Sequence, residues 1–131
     1  MYHRVQGPAK VVVAKSRVPN GGYGVFAKND IQAGELIEQA PFIEIPSSIV
    51  YGGKKNLLQD YVFTSHIKPN HVIVVFGYGS MYNHSLNNNV YYRISPKNPD
   101  RFLEYIALKP IKKGAELFIN YGPKHHVNNG K

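Results

Sequence analysis

The sequence predicts a mostly β domain built from small sheets. Short runs of β-branched and aromatic residues recur along it, among them Val11-Val12-Val13 and Val72-Ile73-Val74-Val75. Clusters of glycine, proline and asparagine separate these runs. Only residues 56–63 set apolar side chains at helical spacing, too little helix for the crossovers of a parallel α/β sheet.

In chain order, residues 11–14 form a first strand and residues 23–27 a second, joined by the turn Val18-Pro19-Asn20-Gly21-Gly22. Residues 29–35 make a tight connection in which Gly34 supplies a positive φ. Residues 36–46 are extended, and Pro41 and Pro46 imply an edge or a bend. Residues 56–63 form the one short helix, with Leu57, Leu58, Tyr61 and Val62 on one face. Strands follow at 72–76, 90–94, 102–108 and 116–121, with a proline-containing loop at 95–100 and a turn at 111–114. No internal repeat is evident. The 131 residues fit a single domain, 1–131, with a core of about 9–122 and a polar tail at 123–131.

An apolar fraction of 43% supports one modest core. Ten tyrosines and six phenylalanines suit strands and pocket walls. The absence of cysteine excludes disulfides and cysteine-ligated zinc. No run reaches the ~18 apolar residues of a membrane span, and the first residues lack the apolar core of a signal peptide. The expectation is a soluble, intracellular protein of cytoplasm or nucleus. The net charge is +8, yet no run of Lys and Arg exceeds two. That pattern reads as a solvated basic surface. A nucleic-acid partner stays open but is not indicated.

Three segments carry chemistry. Gly21-Gly22-Tyr23-Gly24 alone reads as a hairpin turn or a close backbone approach to a ligand, and no phosphate-loop Lys-Ser/Thr follows it. Tyr82-Asn83-His84-Ser85-Leu86-Asn87-Asn88-Asn89 is a loop dense in hydrogen-bonding groups. Its Ser85 lacks the glycine pattern of a nucleophile elbow. Glu116-Leu117-Phe118-Ile119-Asn120-Tyr121-Gly122 is a short strand ending on a tyrosine and a glycine. His66, His71 and the pair His125-His126 lack a supporting ligand cluster, so no metal site is assigned.

In this order the three segments resemble the SET domain, a family of protein-lysine methyltransferases, over residues 23–122. The resemblance is to the minimal viral and bacterial type without zinc-binding flanking segments. It implies a β-clip-like fold of small twisted sheets with one short helix. It also implies a C-terminal pseudoknot, in which the last segment passes through the loop around Asn83 and brings residues near 83 and 121 together. The family's donor is S-adenosylmethionine and its acceptor a protein lysine. By position, the backbone of Gly22, Tyr23 and Gly24 contacts the methionine part of the cofactor. Asn83 hydrogen-bonds the cofactor, the backbone of His84 reads the adenine edge, and Tyr121 is the catalytic tyrosine at the cofactor. Tyr92 and Tyr61 line the substrate-lysine channel.

The chain departs from the family pattern at Ser80 and Met81, at Leu86 and Asn88, at Gln39-Ala40-Pro41, and at Asn120. The chemistry requires a neutral amine, and lysine titrates near ~10.4. Holding it neutral in water costs roughly 4–5 kcal/mol. A narrow aromatic channel desolvates the ammonium and lowers that cost.

The expected partner is a protein or peptide bearing the target lysine, a histone tail being one such substrate. It would lie as an added strand beside residues 42–45 or against the helix at 56–63. Glu38, Glu44, Asp60 and Glu104 are candidates for an acidic groove that receives it. The channel would be closed by the tail or by a second subunit in a homodimer. The alternative is a catalytically weak SET-fold binding module for a protein or nucleic-acid partner.

Overall fold

The structure is a computed structural model that describes residues 8–99 and 101–120. The chain runs β1 (Val11–Lys15), β2 (Tyr23–Ala27), β3 (Leu36–Pro46), α1 (Ser47–Tyr51), a 3-10 turn (Leu57–Asp60), β4 (Val62–Thr64), β5 (His71–Val75), β6 (Asn83–His84), β7 (Val90–Ile94), β8 (Phe102–Ala107) and β9 (Glu116–Ile119). One sheet has the order β1-β2-β9-β6 and the other β4-β5-β3-β8-β7. The fold is therefore mostly β, as the sequence predicts.

Alternation explains the packing. Val25, Leu117 and Ile119 of the first sheet and Ile37, Ala40, Leu103 and Tyr105 of the second are fully buried in one shared cluster. Val50, Val62 and Val72 form a smaller cluster under α1.

β3 is the central strand of its sheet rather than an edge. Leu36 to Pro41 pair with β8, and Phe42 to Pro46 pair with β5. Pro41 stands where the pairing changes sides, and its carbonyl accepts the Phe76 N–H at 2.8 Å.

The helix expected at 56–63 is not formed. Leu57 is 71% exposed and Leu58 40%, so the apolar stripe has no core to meet. Val62 and Phe63 instead join the sheet opposite Val74 and Ile73, as their β-branched and aromatic side chains favour. A single helical turn, α1, forms earlier, after Pro46, with Val50 buried. Its five residues are too few for periodicity to reveal.

A short internal repeat is present after all. Ala27, Ile31 and Gly34 share their spacing with Ala107, Ile111 and Gly114. The two copies bond reciprocally. Ile31 N–H donates to Ile111 C=O at 2.7 Å and Ile111 N–H to Ile31 C=O at 2.8 Å. Gly34 N–H donates to Ala107 C=O at 2.8 Å and Gly114 N–H to Ala27 C=O at 2.9 Å. Ala107 N–H reaches Glu35 C=O, and Ala27 N–H reaches Ala115 C=O, each at 2.9 Å. This two-fold clasp ties the two sheets together. Three matching positions in each copy are too few to stand out in sequence.

The threading expected of the C-terminal segment falls on residues 121–131, outside the described residues. Among the described residues no helix is long and apolar enough to cross a membrane.

The clasp yields a paired test. Gly34 and Gly114 have φ of 84° and 86°, and a Cβ at either would meet nothing within 4 Å. Alanine there should cost only the backbone term, about 1–2 kcal/mol each. Denaturant midpoints should show nearly equal losses for Gly34→Ala and Gly114→Ala. Very unequal losses would show that the two turns are not equivalent.

Candidate active site

β9 lies between β2 and β6. Val25 and Phe26 face Leu117 and Glu116 in antiparallel register, while Asn83 and His84 pair in parallel with Phe118 and Ile119. The glycine-rich turn and the Asn83 segment are thereby brought to the same end of one strand. The Asn83 amide Nδ2 donates to Tyr23 C=O at 3.4 Å and to Glu116 Oε2 at 3.0 Å.

Glu116 is only 7% exposed. Its carboxylate accepts the Ser16 hydroxyl on both oxygens, at 3.0 and 2.8 Å, and the Arg17 N–H at 3.4 Å. Gly24 packs directly against this carboxylate. A Cβ on Gly24 would collide with Glu116 Oε2 and stand 3.0 Å from Asn83 Nδ2. Only glycine allows the three residues to close on one another.

β6 is an edge of its sheet. Ser85 N–H donates to Ile119 C=O at 3.0 Å. Strand alternation therefore turns the main chain of His84 outward, away from β9. Asn89 clips β9 with its side chain. Its Nδ2 donates to Glu116 C=O at 3.0 Å and its Oδ1 accepts the Phe118 N–H at 2.8 Å.

An aromatic row packs beside these residues, with Phe63, Tyr82 and Tyr105 in the core and Tyr92 partly exposed. Phe63 stacks on Tyr92 with ring centroids 5.4 Å apart, Tyr92 lies 5.8 Å from Tyr105, and Tyr105 stacks on Tyr82 at 4.6 Å. Tyr92 and Tyr105 are register partners on β7 and β8. The Tyr105 hydroxyl donates to Gly79 C=O at 2.9 Å. Burial pushes the Tyr92 phenol above its usual range. Burial and the adjacent Glu38 push Tyr82 well above it. Both rings therefore stay protonated and uncharged at neutral pH.

Glu38, fully buried, accepts the Tyr82 hydroxyl at 2.7 Å and the Tyr78 N–H at 3.2 Å. Burial raises its carboxyl above the usual 4.5, and those two hydrogen bonds oppose the rise.

The structure brings Gly22, Tyr23, Gly24, Asn83 and His84 to one place. Tyr92 lies half-buried in the aromatic row. Tyr61 is 40% exposed, and its carbonyl accepts the Ser80 hydroxyl at 3.1 Å. Tyr121 lies outside the described residues, as do His125 and His126.

Of the acidic groove expected from Glu38, Glu44, Asp60 and Glu104, Glu38 and Glu104 are buried and take no part, while Glu44 is half-buried and Asp60 exposed. Glu38 is spent on Tyr82. Glu104, 7% exposed, holds Arg93 at 2.9 Å and Gln39 at 3.2 Å. Glu44 accepts the Ser65 hydroxyl. Among the described residues no three His, Cys, Asp or Glu side chains cluster as metal ligands.

Sequence reading missed Glu116, which anchors Asn83, Ser16, which anchors Glu116, and Phe63 and Tyr105, which complete the aromatic row. The signal for Glu116 was its place at the start of an otherwise apolar strand, where alternation aims it at the glycine-rich turn.

A family model described as the SET domain matches residues 22–122. The chain belongs to the SET domain family. The Chaetomium thermophilum histone-lysine N-methyltransferase EZH2 is 31% identical over 134 residues, 89% of this chain and 8% of that protein. The Schizosaccharomyces pombe histone-lysine N-methyltransferase specific for H3 lysine-37 is 33% identical over 103 residues, 77% of this chain and 67% of that protein. The chain thus spans a small part of one curated relative and about two thirds of the other. Among solved structures, Chaetomium thermophilum polycomb repressive complex 2 aligns with a TM-score of 0.72 and 27% identity, covering 88% of this chain and 15% of that one. A second structure of that complex, bound to S-adenosylmethionine, aligns at 0.71 with 26% identity over 91% of this chain and 15% of that one.

The residues present suit that cofactor. The SET chain's glycine turn is exposed at Gly22 and Tyr23, and the half-exposed Asn83 amide stands beside it.

Glu38 makes the SET core sensitive to pH. A carboxyl raised in the folded state favours folding while it is protonated. Its contribution is full below the usual 4.5 and is lost as pH rises through the raised value. Denaturation across acid to neutral pH should show this fall in the native chain and lose it in Glu38→Gln. An unchanged slope in the variant would show that Glu38 is not the group responsible.

Proposed function

We propose that this SET domain is a protein-lysine N-methyltransferase that moves a methyl group from S-adenosylmethionine to a lysine side chain of a protein substrate. The observation that carries the proposal is the convergence of Gly24, Asn83 and Glu116 at one end of β9. The relatives' names as histone-lysine methyltransferases support it.

The main chain of Gly22, Tyr23 and Gly24 and the side chain of Asn83 would hold the methionine part of the cofactor. The outward main chain of His84 would face its adenine. When bound, S-adenosylmethionine supplies an electrophilic methyl group on a cationic sulfur. The chain must supply a neutral, aligned amine. The uncharged, partly exposed ring of Tyr92 offers a surface that disfavours the ammonium form, which lowers the amine's pKa. Tyr121 is proposed to act through its hydroxyl, orienting the lone pair rather than removing a proton as a strong base.

Residues 42–46 of β3 are laddered to β5 on one side, while on the other the bonds among the described residues end at Phe42, whose N–H donates to Arg101 C=O at 2.9 Å. That half-open edge supports an extended peptide as the form of substrate. A histone tail is the substrate class favoured by the relatives' names.

Labelled S-adenosylmethionine with core histones and with whole-cell lysate, followed by mass spectrometry, tests the proposal. Methyl-lysine should appear, and Tyr121→Phe should lower the rate by about tenfold or more. Wild-type rates in Tyr121→Phe would remove the tyrosine from the mechanism. No heat on titrating S-adenosylmethionine into the wild-type chain would favour the binding-module reading.

A further inference from the structure

We propose that Glu116 is a positioning residue. It fixes the Asn83 amide so that the carbonyl, not the NH2, faces the bound donor molecule and accepts from its α-ammonium. This rests on the cofactor reading above and specifies the polarity of one contact within it.

The amide orientation follows from its neighbours. Asn83 Nδ2 sits 3.0 Å from Glu116 Oε2 and 3.4 Å from Tyr23 C=O. A carboxylate and a main-chain carbonyl can only accept. Both amide hydrogens are therefore committed to the protein. Turning the amide over would set Oδ1 against two acceptors and lose both bonds. What Asn83 has left to offer is Oδ1, a pure acceptor, on a half-exposed side chain. A ligand carboxylate placed there would be repelled, and a ligand ammonium would be bound.

Glu116 is built to hold this orientation. The Ser16 hydroxyl bridges both of its oxygens, and the Arg17 N–H meets Oε1. Gly24, lacking a Cβ, leaves the space that the carboxylate occupies. Among the described residues no Lys or Arg head group pairs with it; the ion pairs formed there are Lys10 with Glu35 and Arg93 with Glu104. Its charge is held by neutral donors, so a cationic group arriving at Asn83 also gains from the carboxylate behind the amide.

The test is titration calorimetry with two ligands, S-adenosylmethionine and 5′-methylthioadenosine, which keeps the nucleoside but lacks the amino-acid part. Glu116→Gln can donate towards Asn83 and so releases the amide to turn. It should weaken S-adenosylmethionine by about tenfold or more and leave methylthioadenosine unchanged. Equal weakening of both ligands, or of neither, overturns the positioning role. A wild-type chain that binds methylthioadenosine and S-adenosylmethionine equally well also overturns it, while leaving the cofactor reading standing. A wild-type chain that binds neither removes the cofactor reading itself. If Glu116→Gln fails to fold, Ser16→Ala loosens the same carboxylate from behind. The same one-sided loss, smaller in size, is then expected, and a two-sided or absent loss again overturns the role.

Discussion

The position of β9 between β2 and β6 is the constraint on which the rest of the structure depends. A two-residue parallel pairing such as that of Asn83 and His84 with Phe118 and Ile119 has little stability of its own. It persists because Leu117 and Ile119, both fully buried, lock β9 into the shared core. The Asn89 amide, bonded to the main chain of Glu116 and Phe118, then fixes how far along the strand can slide. Once β9 is held at that register, alternation turns Glu116 to the opposite face from Leu117 and Ile119. It lands between Gly24 and Asn83.

Two buried carboxylates divide the work of placing Asn83. Glu38 reaches from β3 to the Tyr78 N–H and the Tyr82 hydroxyl, and so pins the turn that leads into residue 83. Glu116 reaches from β9 to Ser16, Arg17 and the Asn83 side chain, and so pins the amide. One controls where the backbone arrives and the other which way the side chain faces. A buried charge is costly unless hydrogen-bonded, and each of these is satisfied by groups from segments distant in sequence. That expense is consistent with a requirement for a single arrangement at this end of the sheet.

The strands at 23–27 and 90–94 were legible because β-branched and aromatic residues fill them and turn residues bound them. The SET resemblance was legible because three short motifs keep their order and spacing. The clustering of Gly22, Tyr23, Gly24, Asn83 and His84 followed from it. Where sequence reading failed, tertiary context decided. Leu57, Leu58, Tyr61 and Val62 have helical spacing, but the first three stay exposed, and Val62 finds its burial as strand beside Val74 instead. Pro41 suggested an edge, yet it sits in a central strand where pairing passes from one neighbour to another. Glu38 and Glu116 look like solvent-facing charges in a one-dimensional reading, since carboxylates are rarely buried. Only the fold reveals that their partners lie 40 and 33 residues away in the cases of Tyr78 and Asn83.

The same burial bears on how a lysine-bearing peptide is chosen. The net charge is +8, and Glu38, Glu104 and Glu116 are all turned inward. Glu35 is engaged by Lys10, and Glu44 by Ser65. Such a surface exerts no long-range pull on a basic peptide, because attraction at a distance follows the summed exposed charge. Under the methyltransferase reading, selectivity then falls to contacts made at short range: the half-open edge of β3, which recognises main chain, and the uncharged ring of Tyr92, the one partly exposed member of the row that runs from Phe63 to Tyr82. A surface of that kind favours the deprotonated amine over the ammonium by desolvation alone. The site would therefore select for the reactive form of the side chain rather than for the charge that marks a lysine in solution.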